Sequence, residues 1–213
     1  MHSRYPRMRP LGLVIWRLRH SRLRREFHMQ VAEAVLRGTP QSPVLDVGSG
    51  PGLLASRLMT ARGDLRVVCV DVEPRMLEAA RAAGCRDLVR ASADLLPFRA
   101  SAFPTVVSTA SLKDWLNRGG GLSEISRVLA NGGNAFVYDF LTVGPGSDPP
   151  GFRERFGLVA ELLRRRMGRM IPFSLANLQA LGDAVRSPDL RVQLDEVGEF
   201  GAARMVLSKG GAR

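Results

Sequence analysis

Val44-Leu45-Asp46-Val47-Gly48-Ser49-Gly50-Pro51-Gly52 decides the fold. An apolar strand runs into a turn with glycine at every second position. Leu53, Leu54, Leu58 and Met59 then recur at helical spacing. Strand, tight turn and helix start, in that order, set free backbone N–H groups and the positive end of a helix beside a ligand. Glycine lets that ligand approach the main chain, because a Cβ there would stand in its way. The spacing Gly48-x-Gly50-x-Gly52 differs from the Gly-x-Gly-x-x-Gly fingerprint of dinucleotide sites. Asp46, two residues ahead of the first glycine, would repel a pyrophosphate in a confined site and attract a cation.

Working outward, Leu65 to Val70 reads as a second strand ending at Asp71, where a carboxylate accepts hydrogen bonds from ribose hydroxyls. Pro74 opens a helix with Met76, Leu77, Ala80 and Ala83 on one side. Asp87 to Ala91 is a third strand, followed by a loop over 92–102 that contains Leu96-Pro97-Phe98. Pro104 to Thr109 is a fourth strand, and Ser111 to Leu116 a short segment after it. Leu122, Ile125, Val128 and Leu129 predict a helix that stops at Asn131-Gly132-Gly133, with Ala135 to Phe140 as the fifth strand. Another helix is predicted from Ser174 to Val185. The extended runs Arg191 to Phe200 and Ala202 to Lys209, joined at Gly201, predict a hairpin. The fold class is therefore α/β: a doubly wound, mostly parallel sheet of seven strands with a C-terminal antiparallel hairpin.

A chain of 213 residues with 45% hydrophobic content supports one sizeable domain. It divides into a basic helical cap over 1–42, a cofactor-binding core over 43–140, a basic lid-like insertion over 141–172, and a helix with the hairpin over 173–213. No apolar run reaches the roughly 18 residues of a membrane span. Leu11 to Trp16 is too short for the core of a signal peptide, although the Arg-rich, acid-free first 25 residues share the composition of a transit peptide. Cys69 and Cys85 are too few for a disulfide framework and fit a reducing, cytoplasmic setting.

The net charge of +11 is not spread evenly. Residues 1–30 carry eight Arg and one Glu, residues 151–170 six Arg and two Glu, and the remainder is neutral. In the first of these segments Trp16, Leu23, Phe27, Val31 and Val35 recur at helical spacing with Arg17, Arg24 and Arg25 between them. The plain reading is a helix packed on the sheet with its Arg face outward. Contact of residues 1–30 with a membrane surface, or with an anionic substrate, is the functional alternative. His20 and His28, eight residues apart, read as surface positions, and no Cys/His grouping has metal-ligand spacing.

Taken in register, these pieces resemble the class I S-adenosylmethionine-dependent methyltransferases, in the branch that includes the quinone-biosynthesis enzymes. Val44 to Gly52 looks like their first motif, and Val68-Cys69-Val70-Asp71-Val72-Glu73-Pro74 like their second-strand motif. Leu96-Pro97-Phe98, Ser108 to Trp115, and Glu124 to Asp139 are similar to the later ones. The resemblance covers about residues 42–140 and implies a Rossmann-like methyltransferase fold with S-adenosyl-L-methionine as cofactor and S-adenosyl-L-homocysteine as product. It implies that Gly48, Ser49 and Gly50 border the methionine portion and that Asp46 meets its amino group. Asp71 would hold the ribose, Val72 and Met76 would flank the adenine, and Thr109 and Ala110 would line the sulfonium end. The Asp that usually precedes the Leu-Pro-Phe proline by five residues is Ser92 here, and Asp94 follows two residues later. Ser92, Ala93 and Asp94 are therefore expected as a contact region.

An acceptor that must lose a proton needs a base, and the candidates at this end of the sheet are Asp114, Lys113, Tyr138 and Asp139. Small-molecule relatives often carry His within the stretch equivalent to Lys113-Asp114-Trp115. This chain has none there, and Asp114 is the expected base. The acceptor is expected to be a small molecule. Competing readings are an RNA or protein acceptor gripped by the two Arg segments, and a non-catalytic cofactor-binding protein. Against nucleic acid, no Asn/Asp-Pro-Pro-Tyr motif and no Pro-Cys pair follows the fourth strand.

Overall fold

The computed structural model describes residues 25–140, 174–197 and 202–211. The start of the basic helical cap, residues 1–24, the lid-like insertion over 141–172 and the Gly201 joint lie outside the described residues. Helix α1 spans 25–37. The sequence then gives β1 (Val44–Val47), α2 (Leu53–Ala61), β2 (Val67–Asp71), α3 (Pro74–Ala82), β3 (Asp87–Arg90) and β4 (Phe103–Thr109). A 3-10 turn over Leu112–Asp114 leads to α4 (Arg118–Val128), β5 (Leu129–Phe140), α5 (Leu175–Val185), β6 (Leu190–Val197) and β7 (Ala202–Lys209). The seven strands form one sheet in the order β3-β2-β1-β4-β5-β7-β6. β1 to β5 are mutually parallel, while β7 runs antiparallel to both β5 and β6.

Alternation along the strands sorts the core into two layers. Leu45, Val47, Val68, Val70, Val106 and Val137 pack with α4 and α5 through Leu122, Ile125 and Leu178. Val44, Val67, Cys69, Val107 and Tyr138 pack with α1, α2 and α3 through Phe27, Val31, Leu54, Leu58 and Ala80. Local chemistry starts each helix. Pro74 occupies the first turn of α3, where its missing N–H costs nothing. Asn117 caps α4 by accepting from Gly120 N–H, and Ser174 with Asn177 forms a capping box on α5.

Two expectations need correction. Leu129 is not helical: α4 ends at Val128, and Leu129 pairs with Phe103 across the sheet. The Asn131-Gly132-Gly133 signal belongs instead to an irregular stretch of β5, whose register with β4 shifts between Phe103 and Thr105. His28 is not a surface residue. It is buried on the stripe of α1 that also carries Val31, Ala32 and Val35, edge-on to Phe27.

The loop between β3 and β4 is fastened to α4. Arg127 donates through Nη1 to the Phe98 carbonyl (2.8 Å) and through Nη2 to the Leu96 carbonyl (3.0 Å), while Glu124 accepts from Leu96 N–H at 2.8 Å. The Glu124–Arg127 pair itself is partly exposed, a class of interaction worth about 0.2–1 kcal/mol, so the carbonyl bonds matter more. Arg127→Ala is expected to cost about 1–2 kcal/mol, read as a melting temperature lower by roughly 4 °C. An unchanged melting curve would show that the loop holds its path without the clamp.

Candidate active site

Strand order reverses between β1 and β4, and a ligand crevice forms outside the carboxyl ends of strands at such a point. The residues singled out in the sequence come from the segments that end there. At the end of β1 the glycine turn folds back on β2: Gly48 N–H and Ser49 N–H both donate to the Val70 carbonyl. Gly48, Gly50 and Gly52 all have positive φ. A Cβ on Gly50 would meet nothing within 4 Å, so its outer face is open to a ligand. A Cβ on Gly52 would lie 2.8 Å from Cys85 Sγ and 3.0 Å from Ala80 Cβ, which makes Gly52 a packing residue of α2 against α3.

Asp71 has a double duty that its position in the sequence did not reveal. Its Oδ2 accepts from Gly50 N–H and its Oδ1 from Glu73 N–H, both at 2.9 Å. One carboxylate thus ties the glycine turn to the start of α3. Each oxygen keeps a further lone pair, so Asp71 can still accept from ribose hydroxyls.

Asp46 is buried, and its Oδ2 has no hydrogen-bond partner. Burial, with smaller contributions from the neighbouring Cys85 and Asp71, pushes its carboxyl up to about 8. A carboxylate held this way gains from a cation placed beside it. Thr109 Oγ1, at the end of β4, is also buried without a partner. Ser49 Oγ is buried and has no partner beyond a weak approach to the Cys69 thiol. Buried polar atoms are normally satisfied, so these three, at the carboxyl ends of β1 and β4 and in the turn after β1, mark a place for a polar ligand. These atoms fit the amino-acid portion of S-adenosylmethionine, whose ammonium and carboxylate supply donors and acceptors.

Val72 and Met76, at the β2–α3 junction, are exposed despite being apolar, as flanks for a flat ring would be. Ser92 and Asp94 form one hydrogen-bonded pair, so the two alternatives for the adenine contact are joined rather than separate. Ala93 is buried beside them.

The far wall is the turn that follows β4. Ala110 adopts φ 54, unusual for a residue with a side chain. Ser111 Oγ donates to the Val47 carbonyl at 3.2 Å and shares a 2.8 Å hydrogen bond with Ser108 Oγ. A Cβ on Gly48 would sit 2.5 Å from Ser111 Oγ and 3.6 Å from Trp115 Nε1. Trp115 also lies against Gly121, where a Cβ would come within 2.4 Å of its ring. Trp115 is therefore both core and wall. Asp114 is mostly exposed and pairs with Lys113 Nζ at 3.2 Å, while Asp139 is buried and accepts from Lys113 N–H at 2.8 Å. Tyr138 is buried on the side of the sheet that faces α1. Ser111 and Trp115 against Gly48, and the Arg127 clamp, bridge elements far apart in sequence and carry no local signal.

Residues 45–137 match the family described as "Methyltransferase domain". The demethylmenaquinone methyltransferase of Thermus thermophilus is 34% identical over 135 residues, covering 61% of this chain and 56% of that protein. The malonyl-[acyl-carrier protein] O-methyltransferase of Geobacter sulfurreducens is 33% identical over 114 residues, covering 52% and 42%. The chain spans about half the length of these relatives. A solved structure from Methanococcus maripaludis, described as a candidate S-adenosyl-L-methionine-dependent methyltransferase, superposes with a TM-score of 0.70 at 18% identity. It covers 100% of this chain and 99% of its own, and shows the shared fold.

Proposed function

We propose that this chain, which matches the family described as "Methyltransferase domain" across residues 45–137, is a class I enzyme that transfers a methyl group from S-adenosyl-L-methionine to a small-molecule acceptor. The observation that carries the reading is the set of buried side-chain oxygens without a hydrogen-bond partner at the carboxyl ends of β1 and β4, Asp46 Oδ2, Ser49 Oγ and Thr109 Oγ1, together with the open position at Gly50. When bound, S-adenosylmethionine supplies an electrophilic methyl group on a sulfonium.

Each residue then has a physical task. Asp46 receives the ammonium, Ser49 and Gly48 border the methionine portion, and Gly50 leaves room for it. Asp71 accepts from the ribose while holding the turn in shape. Val72 and Met76 cover the adenine, with Ser92, Ala93 and Asp94 at its edge. Thr109 and Ala110 line the sulfonium end, where alignment of the reacting atoms and exclusion of water can supply roughly 7–11 kcal/mol. Asp114 is the proposed base for an acceptor that loses a proton, since it stands on the wall turn and is reachable from solvent.

The small-molecule class is supported by the relatives' names, one for a quinone precursor and one for malonyl-[acyl-carrier protein]. Two acceptors so different, on relatives that both match this chain, indicate that the shared segment concerns the donor. Acceptor choice would then fall to residues outside 45–137, including the Arg-rich stretches. Among the described residues no helix is long and apolar enough to cross a membrane, and no His/Cys/Asp/Glu group could hold a metal ion.

The test is direct. S-adenosylhomocysteine at 100 times its dissociation constant should stabilise the fold by about 2.7 kcal/mol. Methyl-labelled S-adenosylmethionine should transfer label to at least one member of a hydroquinone, phenol and carboxylic-acid panel. Absence of stabilisation would overturn the donor assignment. Stabilisation without transfer would favour a non-catalytic binder, and steeply salt-dependent RNA binding an RNA acceptor. In the same assay Asp114→Asn should lower kcat at least tenfold on a hydroxyl acceptor. Full turnover with saturable cofactor binding would remove Asp114 from the role.

A further inference from the structure

The wall turn after β4 is held by an arrangement the donor motif does not require. Ala110 N–H donates to the Tyr138 carbonyl at 2.8 Å, which anchors the first residue of the turn to β5. Ala110 then turns through a positive φ, a conformation that strains any residue with a side chain. Its carbonyl accepts from Lys113 Nζ at 2.8 Å. The same ammonium lies 3.5 Å from Asp139 Oδ1 and 3.2 Å from Asp114 Oδ2, and the Lys113 backbone N–H donates to Asp139 Oδ2 at 2.8 Å. Arg118 closes the turn from α4 by donating to the Lys113 carbonyl at 2.6 Å. Asp139 is 1% exposed and Lys113 21%. Lys113 Nζ thus meets the Ala110 carbonyl, the buried Asp139 and the exposed Asp114, groups of the turn itself and of β5.

We propose that Lys113 is a positioning residue for the transfer step, which fixes the turn over 110–115 in front of Gly48 by tying the Ala110 carbonyl to the buried Asp139 carboxylate. The inference rests on the methyl-transfer reading. Gly48 borders the donor, and Ser111 and Trp115 of this turn stand directly against it. A turn free to relax toward an unstrained Ala110 would change the space in front of the methyl group without touching the donor's own contacts. Loss of Lys113 should therefore act on kcat far more than on donor binding.

Lys113→Met alone removes a cation beside the buried Asp139 carboxylate and so mixes a charge effect with the loss of positioning. The pair Lys113→Met with Asp139→Asn removes both charges and serves as the main variant. In this double variant kcat should fall at least tenfold on an acceptor that the native enzyme methylates, with KM for S-adenosylmethionine and Kd for S-adenosylhomocysteine changed by less than about threefold. Lys113→Arg, which keeps a cation able to reach both partners, should recover most of kcat. An acceptor-independent reading comes from Trp115 fluorescence in a Trp16→Phe background, where acrylamide quenching should rise about twofold in the double variant. Native quenching, or native kcat, in the double variant would overturn the proposal. A native protein that binds donor and methylates nothing would defeat the methyl-transfer reading instead, and the quenching measurement would still decide whether Lys113 orders the turn.

Discussion

Gly52→Ala should lower the stability of the fold by about 3 kcal/mol, while Gly50→Ala, two residues away, should cost about 1 kcal/mol and weaken donor binding instead. Both glycines have positive φ, 74 for Gly52 and 53 for Gly50, so either substitution pays the left-handed strain of a side chain. At Gly52 the new methyl also meets Cys85 Sγ at 2.8 Å, Ala80 Cβ at 3.0 Å and Ala80 Cα at 3.1 Å. Ala80 and Cys85 are buried, and the Ala80 Cα belongs to the backbone of α3, so the overlap can be relieved only by separating α2 from α3. Overpacking of this kind typically costs about 1–3 kcal/mol beyond the strain, and the lower chain entropy of alanine returns under about 1 kcal/mol. A melting temperature lower by roughly 6–12 °C follows for a chain of this size. At Gly50 the methyl meets no protein atom within 4 Å and projects into the ligand space, so S-adenosylhomocysteine should bind at least tenfold more weakly to a chain that melts nearly as the native one does. Calorimetric titration checks the second half. Unchanged affinity in Gly50→Ala would show that the donor does not pass over this turn.

The second large effect is a pH dependence centred on Asp46. Its carboxyl, pushed up to about 8 chiefly by burial, is mostly protonated at neutral pH in the free protein. The donor's ammonium favours the carboxylate, so binding releases a proton. Affinity for S-adenosylhomocysteine should therefore rise by up to about tenfold per pH unit between pH 6 and 8, then level off. Titrations in buffers of different ionisation heat should register release approaching one proton near pH 6.5. Asp46→Asn should flatten the profile. Stability has the opposite sign. A folded-state value above the ordinary 3.8 means that the folded chain holds more protons than the unfolded one, so the free protein should lose stability as pH rises from 4 toward 8. Asp87 and Glu124 are held below their ordinary values by Arg66 and Arg127, so they act at lower pH, where their contribution is lost on acidification. A flat stability profile between pH 5 and 8 would contradict the burial of an uncompensated acid.

What could be read from residues alone follows from the range of the forces involved. The alternation of Val44, Leu45 and Val47, the glycine turn, and Pro74 at a helix start are local features, and they reached the structure intact. Asp46 stands out in the sequence as an acid two residues ahead of the glycine turn, and its place inside an apolar strand is why the fold buries it. Leu129 was misread because its apolar spacing continues the stripe of α4, whereas pairing with Phe103 draws it into the sheet. His28 was misread because its polarity outweighed its place on the α1 stripe. The contacts of Ser111 and Trp115 with Gly48, some 63 residues or more away in the chain, and those of Arg127 with the 96–98 loop depend on how layers meet. No window of sequence contains both halves of such a contact.

The sheet order carries a consequence for how the chain is made. β7 follows β6 in sequence, yet it does not lie at an edge but between β5 and β6. During vectorial synthesis the open side of β5 stays unpaired until residues 202–209 emerge, and β6, though already translated, has no neighbour to join. The nascent chain thus presents a bare strand edge until β7 has been made, the circumstance in which intermolecular pairing competes with completion of the fold. A ribosome stalled after residue 197 would display a domain with its donor turn assembled and its sheet still unsealed.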